Sequence, residues 1–250
     1  MLDITRSDHP SGKHILFQDD IHIYSVEEDP SVKFTSGTKF LHQFIPEFDS
    51  HNISLRYAAK HGMEQADVLA AWAEKGKVSR ENGSEVHLFL ENLFTGVHNE
   101  FNMENERVYA MQEVGLELWD YLNEKYEILE VEKVVAHLGL KLAGMVDLIG
   151  VDRETGDLCI LDYKTSAKIT FENQWQTMLT PCRHLQDCNF NHYTLQMNTY
   201  QWIMSEEGYY PSETQYERHI LHIIPEGWKS FACPDRQEEI KNMVEAFKNS

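Results

Sequence analysis

Residues 14–24, HILFQDDIHIY, set two apolar, β-rich runs on either side of Asp19-Asp20, a pattern that predicts a hairpin. The next segment, TSGTKFLHQFIPEFD, opens with helix N-cap chemistry at Thr35 or Ser36. It keeps an amphipathic stripe for a turn or two and stops at Pro46. From 54 to 75, Leu55, Ala59, Val68, Ala71 and Trp72 recur at helical spacing. After ENGS, Val86, Phe89, Leu90 and Leu93 form the apolar stripe of a helix from about Ser84 to Phe94, and a further helix is predicted over 104–125. From Glu127 the pattern changes to strands: EILEVEKVVAH, KLAGMVDLIGV and DLCILDYKT. A long polar and aromatic loop, 166–193, leads to a helix around TLQMNTYQWIMSEEG, a strand in YERHILHIIPEG and a closing helix in PDRQEEIKNMVEAFKN. Helices first, then a sheet, then a mixture: this order predicts an α/β (α+β) fold with a central sheet.

With 250 residues, 42% of them hydrophobic, the chain can bury one substantial core. One globular domain over 1–250 is expected, with a hairpin and helical part at 1–70, a core at 71–204 and a strand and helix at 205–250. Lys and Arg number 22 against 41 Asp and Glu, a net charge of −19. That balance argues against coating nucleic acid by bulk electrostatics, so any such contact has to be local. The N-terminus lacks the apolar core of a signal peptide, and no run approaches the ~18 apolar residues of a membrane span. The expectation is a soluble intracellular protein, cytoplasmic or in a host cytoplasm if viral, neither secreted nor membrane-bound. Cys159, Cys182, Cys188 and Cys233 then read as free thiols in a reducing compartment.

The stretch GMVDLIGVDRETGDLCILDYKTS puts Asp147, Asp162 and Lys164 inside apolar runs. A hairpin turn centred between Glu154 and Thr155 sets Asp147 opposite Asp162, with Cβ atoms about 4.5–5.5 Å apart. Two like charges so placed need something positive between them, and carboxylates suit Mg²⁺ or Mn²⁺. Strand alternation puts Lys164 on the face of Asp162 and turns Tyr163 away. An ammonium beside a metal-bound phosphate stabilises developing charge or orients the attacking water, which suggests phosphodiester hydrolysis. The alternative is a sheet face with a plain salt bridge, and a one-residue slip in register undoes the pairing. His87 and Glu91 stand at i and i+4 on one helix face and can complete a metal site, although a histidine bordering an apolar stripe is often structural. Gln196 and Tyr200 have the same spacing.

Together GSEVH (83–87), GMVD (144–147), DYK (162–164) and QMNTY (196–200) resemble, in order, the G-x-x-x-H, G-x-x-D, D-x-K and Q-x-x-x-Y motifs of RecB-like PD-(D/E)XK nucleases. The likeness spans roughly residues 70–204 and extends to phage and large-virus exonucleases and the mitochondrial genome-maintenance exonuclease. It implies a restriction-endonuclease-like core with a central mixed sheet flanked by helices. It also implies Asp147, Asp162, His87 and the Tyr163 carbonyl as metal ligands, Lys164 as the catalytic lysine, and Gln196 and Tyr200 as site support or substrate contacts. Glu91 and Glu132 fit a supporting place around the ligands. The implied reaction is in-line attack of a water activated by one or two Mg²⁺ or Mn²⁺ ions. Some relatives hold an iron–sulfur cluster on one N-terminal and three C-terminal cysteines; with no cysteine before Cys159, none is expected here.

No G-x-x-x-x-G-K-[ST], H-E-x-x-H or G-x-S-x-G signature competes. Cys182, His184, Cys188 and His192 are zinc-type residues, but their spacing matches no standard finger, and an ordered loop is the expected role. Lys75, Lys77, Arg80, Lys168 and Arg183 are the cations nearest the motifs, and Trp72, Phe171, Trp175 and Tyr193 are candidates for stacking on unpaired bases. The leading reading is a DNA exonuclease acting on single strands or free ends in replication, repair or recombination. A structure-selective endonuclease, or a silent module binding a protein partner through its acidic surface, are the alternatives.

Overall fold

A computed structural model describes residues 4–19 and 21–249. Four strands come first: β1 (Ile4–Asp8), β2 (His14–Gln18), β3 (Ile23–Val26) and β4 (Asp29–Lys33), paired antiparallel in that order. The predicted hairpin is β2–β3, with Phe17 opposite Tyr24; Asp20, on which its turn was drawn, lies outside the described residues. Ile15, Phe17, Tyr24 and Val26 make its buried face and pack on Val134, Ala136 and Ala143. Neither β1 nor β4 has an apolar alternation. β1 is held partly by the Ser7 hydroxyl, which accepts the Val134 N–H at 3.1 Å.

A short β5 (Thr35–Ser36) runs into α1 (Gly37–His42), where Ser36 accepts the Lys39 N–H as N-cap. The helices predicted over 54–75 and 84–94 are divided differently in the structure. α2 (Ser50–His61) stops at Gly62, which caps it at φ 65° without the strain a Cβ would bring, and α3 then runs unbroken over Gln65–Thr95. ENGS therefore lies inside a helix. Asn82 turns inward to take a hydrogen bond from Asn105 at 2.9 Å, and a Cβ at Gly83 would stand 3.0 Å from the Thr165 hydroxyl, so that glycine permits close packing and does not stop the helix. α4 (Glu106–Lys125), capped by Asn105, matches its prediction.

The central sheet contains β6 (Tyr126–His137), β7 (Leu142–Asp152), β8 (Leu158–Lys164), β9 (Tyr216–Ile224) and β10 (Gly227–Ala232). Its order is β10-β9-β8-β7-β5, with β6 on the other edge of β7; β8–β9 and β5–β7 are parallel and the rest antiparallel. β10 was not anticipated, because GWKSFA is a half-exposed edge strand with no clear apolar period. α5 (Asn189–Glu207) begins earlier than expected, where Asn189 is fixed by the Thr170 N–H and hydroxyl, and α6 (Gln237–Lys248) closes the chain. Ile149 and Ile160 pack with α1, α5 and α6 on one face of the sheet, and Leu148 and Leu161 pack with α3 and α4 on the other. Among the described residues, no helix is long and apolar enough to cross a membrane.

The β7–β8 turn is built around Asp152. Its buried carboxylate pairs with Lys125 at 2.8 Å and accepts the Glu154 and Thr155 N–H groups, while Gly156, at φ 79°, closes the turn back onto the Asp152 carbonyl. The ladder that follows, Val151↔Leu158 to Leu148↔Leu161, has the register of a turn centred between Glu154 and Thr155.

Candidate active site

β7 shares one of its edges between two neighbours. β6 covers the first edge; on the second, β8 pairs with Leu148 to Val151 and β5 with Leu142 and Ala143. At the fork, Asp147 Oδ2 accepts the Tyr163 N–H at 2.7 Å, so a carboxylate replaces the next ladder bond. Asp147 and Asp162 thus meet where the strands part, on the register the sequence implies.

Across the other edge stands Glu132, between the pairs Val131↔Leu148 and Lys133↔Val146. Residues 146 and 148 should share a face, yet Leu148 packs with α4 and Val146 with α5. Lys133 also bonds Glu130 at 3.1 Å, three positions away, which strict alternation would put on opposite faces. Both strands slip by one residue at the same point, so the pairing survives while the side chains are re-aimed. Glu132 carries the slip at φ 49°, a left-handed conformation that costs a non-glycine residue about 1–3 kcal/mol. The result brings ligand atoms of His87, Glu132 and Asp147 within 4.8 Å of one another.

The electrostatics follow from burial. Glu132 is pushed up to about 9 by loss of water, then by Asp147 and Glu91. Asp162 is raised by burial, which Lys164 opposes and Asp147 reinforces. Lys164 forms an ion pair with Asp162 and lies 4.9 Å from the centre of the Tyr193 ring. Burial works against its charge, but Asp162 and Asp147 outweigh it and keep it an ammonium. His87 Nδ1 is 3.6 Å from Asp147 Oδ2, and its ring meets Tyr163 edge-on at 5.6 Å. Three crowded carboxylates and an imidazole, with one ammonium to balance them, form a hard oxygen and nitrogen donor set that fits a divalent cation.

The model of the PD-(D/E)XK nuclease superfamily matches residues 23–246. The chain belongs to that superfamily. PD-(D/E)XK nucleases use divalent metals, and the central mixed sheet flanked by helices is consistent with their restriction-endonuclease-like fold. No curated protein matches the chain. Among solved structures, one described as "Crystal structure of SSO0001" is similar at 16% identity over 86% of this chain and 75% of that chain; its TM-score of 0.33 is too low to support an argument.

In this PD-(D/E)XK chain the sequence-predicted residues divide into two groups. His87, Asp147, Asp162 and Lys164 come together from α3, β7 and β8, and Tyr163 points away from Asp162 as alternation requires. Glu91 lies one turn beyond His87 and acts on Glu132 through its charge. Gln196 donates to the Tyr200 hydroxyl at 2.8 Å, while the buried Tyr200 ring fills the notch left by Gly37 and Gly144. A Cβ at Gly144 would lie 2.2 Å from that ring, which explains the glycine of GMVD. Tyr200 is therefore locked into the core against β7 and the start of α1. Arg80 and Lys168 are exposed and outside the cluster: Lys168 offers its carbonyl to Ser166 and Asn189, and Arg80 stands two turns before His87. The zinc-type residues disperse, with His184 on Glu239 at 3.1 Å and His192 on Asp187 at 2.7 Å, and all four cysteines are free and buried.

Sequence reasoning missed Tyr24. Its ring packs beside Val134 and Ala143, and its hydroxyl is held protonated by burial and then by Glu132 and Asp147. Nothing local in HILFQDDIHIY places residue 24 beside residue 132. Glu132 was visible as a strand acid, but not its left-handed backbone.

Proposed function

We propose that this protein is a divalent-metal-dependent deoxyribonuclease of the RecB-like branch, working as an exonuclease on single-stranded DNA or DNA ends in replication, repair or recombination. The observation that carries the reading is the convergence of His87, Glu132 and Asp147 with the Asp162–Lys164 pair at the fork of the sheet. Asp147, Asp162, His87 and the Tyr163 carbonyl are the ligands, with Glu132 beside them. A bound Mg²⁺ or Mn²⁺ supplies charge neutralisation on the phosphate and a more acidic water. Lys164, held as an ammonium by Asp162, stabilises charge on the attacked phosphate or orients the water. Gln196 and Tyr200 fix the helix that faces Lys164, and Lys168 and Arg80 lie on the approach.

The test is cleavage of end-labelled linear and circular single-stranded DNA with Mg²⁺, Mn²⁺ or EDTA, comparing wild type with Lys164→Ala. Metal-dependent loss of the linear form alone, abolished by the substitution, is the expected result. Cutting of circles turns the reading to a structure-selective endonuclease. Absence of any cleavage by pure wild-type protein overturns it in favour of a protein-binding module.

A further inference from the structure

α3 is 31 residues long, yet only its second half is anchored. Asn82, Val86, Phe89 and Leu90 are buried there, against Val68 alone in the first half. α2 folds back along that first half, burying Ser54 and Ala58, and Gln65 ties the two together through the His51 carbonyl and the Ser54 hydroxyl. The pair forms a helical arm in which residues 65–80 of α3 span about 24 Å at 1.5 Å per residue.

Its surface differs from the rest of the molecule. Residues 50–80 carry five Lys and Arg against three Asp and Glu, in a chain with 22 against 41. Among the described residues, Arg56, Lys60, Lys75 and Arg80 make no ion pair, although acids are plentiful elsewhere. Large apolar side chains are exposed as well: Phe48 at 62%, Leu55 at 49% and Tyr57 at 42%. Phe48 and Tyr57 flank the Trp72 ring at 6.1 and 5.9 Å.

The helix also fixes where these groups point. At 100° per residue, Leu69, Trp72 and Arg80 fall on the side of α3 that carries His87, with Arg80 two turns, about 10 Å, from it. Arg80 and Trp72, on which Phe48 and Tyr57 pack, therefore lie on the His87 side of one helix.

We infer that this arm is a track for an unpaired DNA strand, with Arg80 gripping a backbone phosphate beside the site and the Phe48–Tyr57–Trp72 cluster stacking a base farther out. The inference rests on the nuclease reading above and adds where the strand lies. Bases of any sequence stack on aromatic rings, and phosphates seek unpaired guanidinium groups, so the partner matches both the charge and the apolar character of the arm.

The test compares wild type with Arg80→Ala, Trp72→Leu and the double variant, each checked for native circular dichroism. Binding of a labelled long oligothymidylate is measured in EDTA, and cleavage is measured on that oligonucleotide and on bis(p-nitrophenyl) phosphate. The expected result is binding weakened about tenfold or more by the double variant. The salt slope falls by about one on loss of Arg80, KM rises for long strands, and hydrolysis of the small ester is unmoved. Oligonucleotide binding unchanged in an enzyme that still cleaves overturns the track and spares the nuclease. Binding that depends on Arg80 and Trp72 in a protein that cleaves neither substrate supports the track and removes the nuclease. A concentration-dependent dimer lost in the double variant, with DNA binding intact, reassigns the arm to a second copy of the chain and overturns the proposal.

Discussion

Among the described residues, two groups of one histidine and two carboxylates bring their ligand atoms within 4.8 Å: His14, Glu27 and Glu28 on the N-terminal sheet, and His87, Glu132 and Asp147 at the fork. The residue types are the same and the physics is not. On the surface each acid has its own partner: Arg6 on Glu27 at 2.8 Å, and the His14 ring and N–H on Glu28 at 2.6 and 3.2 Å. Water and those partners satisfy the charges, and such exposed pairs contribute little. At the fork Asp147 is buried and Glu132 half-buried, Glu132 sits on a strained backbone, and the ammonium within the site is already engaged by Asp162. A ligand-like composition becomes a site where the fold withholds other ways to neutralise it.

The largest expected effect on that contrast is chemical. Lys164→Ala should slow metal-dependent DNA cleavage about 10²–10³-fold with the fold intact, and a rate near wild type would remove the fork group from the chemistry. Gly144→Ala should cost about 1–3 kcal/mol in urea unfolding, because the added methyl meets the packed Tyr200 ring. An unchanged midpoint would mean that the frame around the fork is looser than its packing indicates. Asp152→Ala should cost about 1–2 kcal/mol by freeing the turn that sets the register. The Asp152 carboxyl is held below the usual range by the Lys125 ammonium. Its stabilisation is therefore complete above about pH 4 and is lost as pH falls through its depressed value, and the wild-type and variant stability curves should converge in acid.

Smaller still, and opposite in sign, Glu132→Gln should stabilise the metal-free protein by about 1 kcal/mol, since it removes an acid that burial and Asp147 disfavour. The same change should shrink the rise in melting temperature caused by Mn²⁺, and an equal rise would place Glu132 outside the ion's reach. His14→Ala should change stability by no more than about 0.5 kcal/mol and leave cleavage as it was. Loss of activity there would erase the distinction between the two groups.

Much of the central hairpin was legible because its information is local. The turn VDRETGD, the apolar runs on either side and the placement of Asp147, Asp162 and Lys164 within them are enough to derive the register seen in the ladder. His87 was legible as a helix residue on the border of an apolar stripe. The continuity of α3 was hidden, because Gly83 and Asn82 look like a break until Thr165 and Asn105 are known to pack against them. The slip at Glu132 and the approach of Tyr24 depend on contacts more than a hundred positions apart or on a backbone conformation that no side-chain pattern reports. β1, β4 and β10 escaped for a simpler reason: each is short, and none shows a regular apolar alternation.

Along β7 the outer edge is interrupted between Ala143 and Leu148, and that interruption decides where the molecule opens first. Elsewhere an amide on this strand is locked between neighbours; at the gap one carboxylate oxygen holds Tyr163 in place of a continuous ladder. Solvent hydrogen should therefore enter the sheet at Gly144–Asp147 sooner than at the β6 side. A cation held at the fork would act as a stitch across this seam, so the rate of amide exchange on a few residues of β7 would become a gauge of whether the site is filled.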